Sequence, residues 1–231
     1  MFNDLKIKKE ALPSNIPVFP LTGSCLLPGT ELPLNIFEPK FINMVDDAMA
    51  EKRLIGMIQP KQGLFSNIKK SKPLYDVGCV GRIKAFNETE DGRYLIVLSG
   101  ISRFETVEEI ETIRGYRRFK VDFDKFENDF SIEKERKIFT SNFERKELFE
   151  KVDAYIQRVG DVKDSLSSYN NFDNLTDGFI LDFICGFMPF SPQEKQLFLE
   201  CLTVEERSKT LYKILGIAEA EKKYLKSKYL N

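Results

Sequence analysis

Histidine and tryptophan are both absent from the 231 residues of this chain. Without an imidazole no Ser-His-Asp or Cys-His triad can be built, and the usual general base of neutral-pH catalysis is missing. The four cysteines, Cys25, Cys79, Cys185 and Cys201, are scattered and include no Cys-x-x-Cys pair. Structural zinc takes paired Cys or His at short spacing, so no metal is expected and the thiols read as small buried hydrophobes. Charge of one sign is also lacking, with Lys+Arg 35 against Asp+Glu 36. No global field therefore draws in nucleic acid or anionic lipid. No run approaches the ~18 to 20 uncharged residues of a membrane span, and the polar start has no apolar signal core. A cytoplasmic protein without membrane contact is expected. Neither a Gly-x-x-x-x-Gly-Lys-Ser/Thr phosphate loop nor a Gly-x-Ser-x-Gly elbow occurs, so no cofactor is expected.

What the chain does have is a proline-punctuated segment, residues 16–48. After a polar arm, residues 1–15, Ile16 to Leu21 reads as a strand whose Pro17 and Pro20 predict an edge position, because proline donates no ladder hydrogen bond. Pro28-Gly29 marks a turn. Glu31 to Ile36 alternates with period two, and Glu38-Pro39 opens a helix running to about Glu51, with proline where its missing N–H costs nothing. Phe41, Val45, Ala48 and Met49 are expected on its buried face, opposite Asn43, Asp46, Asp47 and Glu51. Leu54 to Ile58 is a further strand, and Gln62 to Pro73 reads as a polar loop. Val77 to Phe86 and Tyr94 to Leu98 flank Asp91-Gly92, a strong hairpin signal. Gly100 predicts a bend before a strand from Ile101 to Val107, and Tyr116 to Phe123 follows Gly115. Short strands with one helix predict a barrel-like α+β domain over residues 16–126.

From residue 131 to 231 the texture is helical. Ile132, Ile138, Phe139, Phe143, Leu148, Phe149 and Val152 recur at roughly helical spacing, Gly160 closes that stretch, and a polar loop covers 161–174. Leu175 to Phe187 is a mostly apolar helix interrupted by Asp177 and Asp182. Ser191-Pro192-Gln193-Glu194 and Thr203-Val204-Glu205-Glu206 read as capping boxes of two further helices, the last ending in a solvated Lys-rich tail, Glu221 to Lys228.

The run Ile16-Pro17-Val18-Phe19-Pro20-Leu21, then Leu27-Pro28-Gly29, then Leu32 to Phe41, then Val77 to Ile83 and Leu98 to Phe104, resembles the N-terminal substrate-binding domain of Lon proteases in its stand-alone form. Pro189 to Gln196 and Glu205-Glu206-Arg207 extend the resemblance into the helical half. It implies an α+β protein: a PUA-like antiparallel β-pseudobarrel with one packed helix, followed by a C-terminal helical bundle. The ATPase module and Ser-Lys protease domain of full Lon proteases have no counterpart in these residues. A non-catalytic polypeptide-binding module is therefore the expectation, with an adaptor role in protein quality control beside a protease or chaperone.

Phe37, Glu38, Lys40 and Phe41 are the candidate peptide contacts, since a helix start beside a strand end combines N–H donors with flanking aromatics. Against this, Phe37 and Phe41 also fit the core and Glu38 a helix cap. Adjacent Asp46 and Asp47 point in different directions and read as solvated rather than as an acid/base pair. Arg114, Arg117, Arg118 and Lys120, interleaved with Tyr116 and Phe119, open an alternative of RNA binding on a PUA-like sheet. Asp122, Asp124, Glu127 and Asp129 just downstream argue against it. A peptidase component is a further, weaker alternative. The apolar surplus at Phe179, Ile180, Phe183, Ile184, Phe187 and Met188 is mostly bundle core, with room for a partner or homodimer face.

Overall fold

The computed structural model describes residues 7–61, 72–130, 142–159 and 175–229. The expected loop at 62–71, the helical residues Ile132, Ile138 and Phe139, Gly160 and the loop at 161–174 lie outside these. So do the side chains of Phe143 and of the tail 221–228. The chain divides into two units, 1–132 and 133–231.

Among its described residues the first unit holds six strands, β1 (Asn15–Pro20), β2 (Glu31–Ile36), β3 (Leu54–Ile58), β4 (Val77–Glu88), β5 (Tyr94–Ile110) and β6 (Arg117–Asp122), with helix α1 (Pro39–Ala50) between β2 and β3. They lie in the order β2-β5-β4-β3-β1-β6, and β5 pairs with β6 as well. That extra pairing closes β5, β4, β3, β1 and β6 into a ring and, among the described strands, leaves β2 attached to β5 alone. All pairings are antiparallel except β1 with β3. This exception follows from α1, since parallel neighbours need a crossover connection.

β1 is not an edge strand, contrary to what its prolines predict; it lies between β3 and β6. The Val121 N–H donates to the Ser14 carbonyl at 2.8 Å, which sets the phase of the β1–β6 ladder. Counting by two from Ser14, Ile16 and Val18 turn their N–H groups to β6, and Pro17 turns its nitrogen to β3. Pairing with β3 begins only at Val18. Pro20 faces the β6 side beyond Arg117, the last residue of β6 to pair. Both prolines thus fall just outside the ladders their missing donors would have weakened.

Gly100 does not separate two strands. β5 runs unbroken through it for 17 residues, and Ile101 is the extra residue of a bulge, as Val80 faces Ser102 and Gly81 faces Gly100. The glycine is required by a close approach: a Cβ at Gly100 would lie 2.2 Å from the Leu27 carbonyl oxygen. The Gly100 N–H donates to Thr30 C=O at 2.9 Å and its carbonyl accepts from Gly29 N–H at 2.8 Å, locking the Pro28-Gly29 turn onto β5.

Ile16, Val18, Leu54, Ile58, Val80, Phe104, Phe119, Val121 and Phe123 form one core of the barrel. Phe104, fully buried, occupies the space over Gly78, where a Cβ would meet its ring at 2.6 Å and the Met57 carbonyl at 2.5 Å. Beside Phe104, Arg103 is 1% exposed. Its backbone N–H, Nε and guanidinium donate to both Asp129 oxygens at 2.8, 3.0 and 2.8 Å. The guanidinium also stacks 4.4 Å from the Phe126 centroid. On the α1 side, Phe41, Met44, Val45 and Ala48 are buried, and Phe41 meets Phe19 edge-on at 4.4 Å. Met44 takes the place expected of Met49, which is only half-buried.

The second unit comprises α2 (Asn142–Val159), α3 (Asp177–Phe187), α4 (Pro192–Glu200) and α5 (Val204–Tyr229), with α5 packed on the other three. Thr176 caps α3, and Ser191 and Glu194 form the expected capping box of α4. At α5 the box is offset: Thr203 accepts from Glu206 N–H at 3.1 Å, while Glu206 reaches back to Leu202 N–H at 2.8 Å. Asp177 and Asp182, which break the apolar run of α3, are buried and paired with Arg145 and Arg207. Arg207 Nε further donates to the Phe198 carbonyl at 3.2 Å. Cys25, Cys79 and Cys185 are buried free thiols, and Cys201 is partly exposed.

Two substitutions test this packing by urea denaturation. Gly78→Ala drives a methyl into backbone and ring, with an expected loss of about 2 kcal/mol or more. Asp129→Asn removes the carboxylate charge that pairs with the buried Arg103 guanidinium, with an expected loss of about 3 kcal/mol. An unchanged midpoint in either variant would contradict the close contacts described.

Candidate functional site

Helix α1 begins where β2 ends, and the four residues singled out by sequence all lie at that junction. Phe37 is 65% exposed, so it is not core. Glu38 occupies the N-cap position with extended backbone but makes no side-chain cap. Its carboxylate instead pairs with Lys40 Nζ at 2.9 Å. Lys40 in turn lies 4.6 Å from the Phe41 centroid, while Phe41 is itself buried. The structure therefore divides the set: Phe37, Glu38 and Lys40 face solvent, and Phe41 lies in the core beneath Lys40. Pro39 has no N–H and that of Phe41 donates to the Glu38 carbonyl at 2.8 Å, so the helix start offers fewer donors than its sequence predicts.

Two neighbours of this lip have no motif in the sequence. Ile113, fully exposed, sits on the β5–β6 loop with Gly115, whose φ is 84°. An ideal Cβ at Gly115 would stand 3.4 Å from the Lys40 Cβ. The loop is fastened to α1, since Asn43 donates to the Arg114 carbonyl at 3.3 Å and Arg114 Nε pairs with Asp47 at 3.2 Å. The second neighbour is the outward face of β2, β5 and β4. The register aligns Pro33, Val97 and Ala85 in one row and Asn35, Leu95 and Asn87 in the next. These residues line an open, mostly apolar depression of about 490 Å³. The legible signals were the apolar residue beside an Arg-Gly turn and, on β5, apolar residues on both faces where one should be polar.

Asp46 and Asp47 are not merely solvated. Tyr94 donates to Asp46 at 3.0 Å and Tyr116 to Asp47 at 2.8 Å, so they anchor α1 to β5 and to the start of β6. Burial, then the hydrogen bond to Asp47, raises the Tyr116 phenol above its ordinary pKa. The basic-aromatic cluster is likewise structural. Tyr116 and Phe119 are buried, Arg117 forks onto Glu109 at 2.6 and 2.7 Å, and Arg118 pairs with Glu51 at 2.7 Å. Among the described residues no exposed aromatic stands there for a base to stack on. Among the described residues no group of three or more potential ligands could hold a metal ion, and no helix is long and apolar enough to cross a membrane.

The closed small barrel and its exposed apolar lip stand on a fold shared with solved structures. A Lon N-terminal domain protein from Xanthomonas campestris matches with TM-score 0.58 at 18% identity, over 86% of this chain and 96% of that one. The N-terminal domain of Mycobacterium avium complex Lon protease matches with TM-score 0.58 at 17% identity, over 87% and 98%. These likenesses carry the fold. Residues 15–216 match the family model of the ATP-dependent protease La (LON) substrate-binding domain, and the chain belongs to that family. It is accordingly a substrate-binding module, as residues 16–48 lead one to expect. Among curated relatives, Lon protease of Parabacteroides distasonis is 28% identical over 92% of this chain, and Lon protease 2 of Myxococcus xanthus 25% over 91%. The chain spans about 24% of the length of either.

The tyrosine anchors predict a pH effect. A raised phenol pKa means stability is intact below the unfolded value of about 10 and is lost as pH climbs through the higher folded value. Tyr116→Phe should cost about 1 kcal/mol at neutral pH, for the lost hydrogen bond, and should flatten the alkaline limb of a Tm-against-pH profile. An identical limb in the variant would contradict the assignment.

Proposed function

We propose that this chain is a non-catalytic module that captures exposed apolar or extended segments of polypeptides and hands them to a partner such as a protease or chaperone in the cytoplasm. The observation that carries the reading is Phe37, 65% exposed at the end of β2, beside the Glu38–Lys40 pair and above the buried Phe41. With exposed Ile113 and the apolar depression of β2, β5 and β4, Phe37 makes up the kind of exposed apolar surface that serves interaction. Family membership supports substrate binding in general. The choice of polypeptide as substrate rests on the exposed apolar side chains of the lip, Phe37 and Ile113.

The RNA alternative is not favoured, because the aromatics it needs are buried and Arg117 and Arg118 are engaged by carboxylates. A homodimer through the same lip is the competing use of Phe37.

Calorimetric titration with an unfolded protein, reduced and carboxymethylated to stay unfolded, tests the reading. Binding is expected, and Phe37→Ser should weaken it about tenfold or more, as for a central aromatic anchor, with Tm within a degree or two of the parent. Phe41→Ala, in contrast, should lower stability by about 3 kcal/mol. A folded sample that binds none of several unfolded proteins would sink the proposal.

A further inference from the structure

β2 is attached to the barrel along one side only, and no other described strand pairs with its outer edge. The orientation of its backbone follows from the hydrogen bonds of the preceding turn. Gly100 N–H donates to Thr30 C=O, which makes Thr30 and Gly100 a hydrogen-bonded pair, and the register then runs without a shift to Ile36 opposite Tyr94. Counting by two, Leu32, Leu34 and Ile36 turn their N–H and C=O groups to β5. Glu31, Pro33 and Asn35 turn theirs away from it. The free edge therefore presents the N–H of Glu31 and Asn35 and three carbonyls, with Pro33 contributing no donor.

An edge of unpaired donors and acceptors is complementary to another extended chain. The same odd-numbered residues place Pro33 and Asn35 on the outward face, where they continue the rows through Val97 and Ala85 and through Leu95 and Asn87. These six positions carry no charged side chain, and the flanking Glu31 and Lys84 neutralise one another at 2.6 Å. The occupant matched to this edge is therefore an uncharged, apolar, extended segment. Pro33 at its centre removes one ladder bond and so limits indiscriminate sheet-to-sheet association.

We infer that the outer edge of β2 accepts an extended apolar segment of substrate polypeptide as an added strand, paired through the backbone of Glu31 and Asn35 and leading directly to Phe37. This rests on the polypeptide-binding reading and adds the backbone mode by which the segment is held.

Amide hydrogen exchange of the whole protein, followed by NMR with and without saturating β-casein as the unfolded probe, decides it. The amides of Glu31 and Asn35 should slow by about tenfold or more on binding, while those of Leu34 and Ile36, already bonded to β5, stay as they were. Casein binding that leaves Glu31 and Asn35 unprotected would overturn the edge mode and leave the polypeptide-binding reading standing. Absence of casein binding would overturn both. Protection at these two amides that appears without casein and grows with protein concentration would assign the edge to a second copy of the chain instead. Asn35→Pro, which deletes the edge donor, should weaken casein binding about fivefold, the value of one hydrogen bond. Asn35→Thr, which keeps the N–H, should not. Equal weakening in both would place the effect on the side chain and contradict the inference.

Discussion

Everything in the first unit hangs on the double pairing of β5. Its early residues pair with β2 and β4 and its late residues with β4 and β6, so one strand both closes the ring and carries the extra strand β2 outside it. A strand serving two directions must turn, and the bulges opposite Val80/Gly81 and at Thr106/Glu108 provide the turn. Gly100 stands at the first bulge because the Leu27 carbonyl leaves no room for a side chain there. Arg103, three residues on, ties the late half to Asp129 through backbone and side chain together. Both carboxylate oxygens and the Phe126 face help to offset the cost of its burial.

This closure explains why a site can sit at the β2–α1 junction. Strand β2 is held by β5, helix α1 by Phe19, Tyr94 and Tyr116, and the β5–β6 loop by Asn43 and Asp47. Phe37 and Ile113 are thereby exposed on supports that do not need them for stability. An exposed aromatic on a rigid base binds without a large ordering cost, because its surroundings are already fixed. The acidic pair on α1 and the arginines of the β5–β6 loop and β6, which by pattern alone invite catalytic or RNA-binding readings, supply that rigidity.

The fold was legible where local chemistry speaks directly. Pro39 at the start of α1, Asp91-Gly92 in the hairpin and Ser191 to Glu194 before α4 each prescribe their own backbone. It was illegible where a distant partner decides. Pro17 and Pro20 signal an edge, yet β1 is interior, which is tolerated because the one ladder that each proline nitrogen faces ends short of it. Gly100 signals a break but answers to Leu27, more than seventy residues away in sequence. Asp182 interrupts an apolar helix for the sake of Arg207. Of the candidate site, sequence names the junction but not the direction of its side chains: Phe37 and Phe41 lie four residues apart, one in water and one in the core. Ile113 beside Arg114-Gly115 is legible as an apolar turn residue, but its place next to Lys40 is set by tertiary proximity, which no spacing along the chain encodes.

The central claim is that unfolded polypeptide engages the Phe37 lip and not the apolar surface of the barrel at large. Val107, 59% exposed on β5, provides the internal comparison. A photocrosslinking amino acid is placed at position 37 in one preparation and at position 107 in another, and each is irradiated with a carboxymethylated unfolded protein. Strong adduct formation from position 37 with little from 107 is the predicted result. Equal adducts from both positions, or none from 37 while the polypeptide remains bound, would contradict the account.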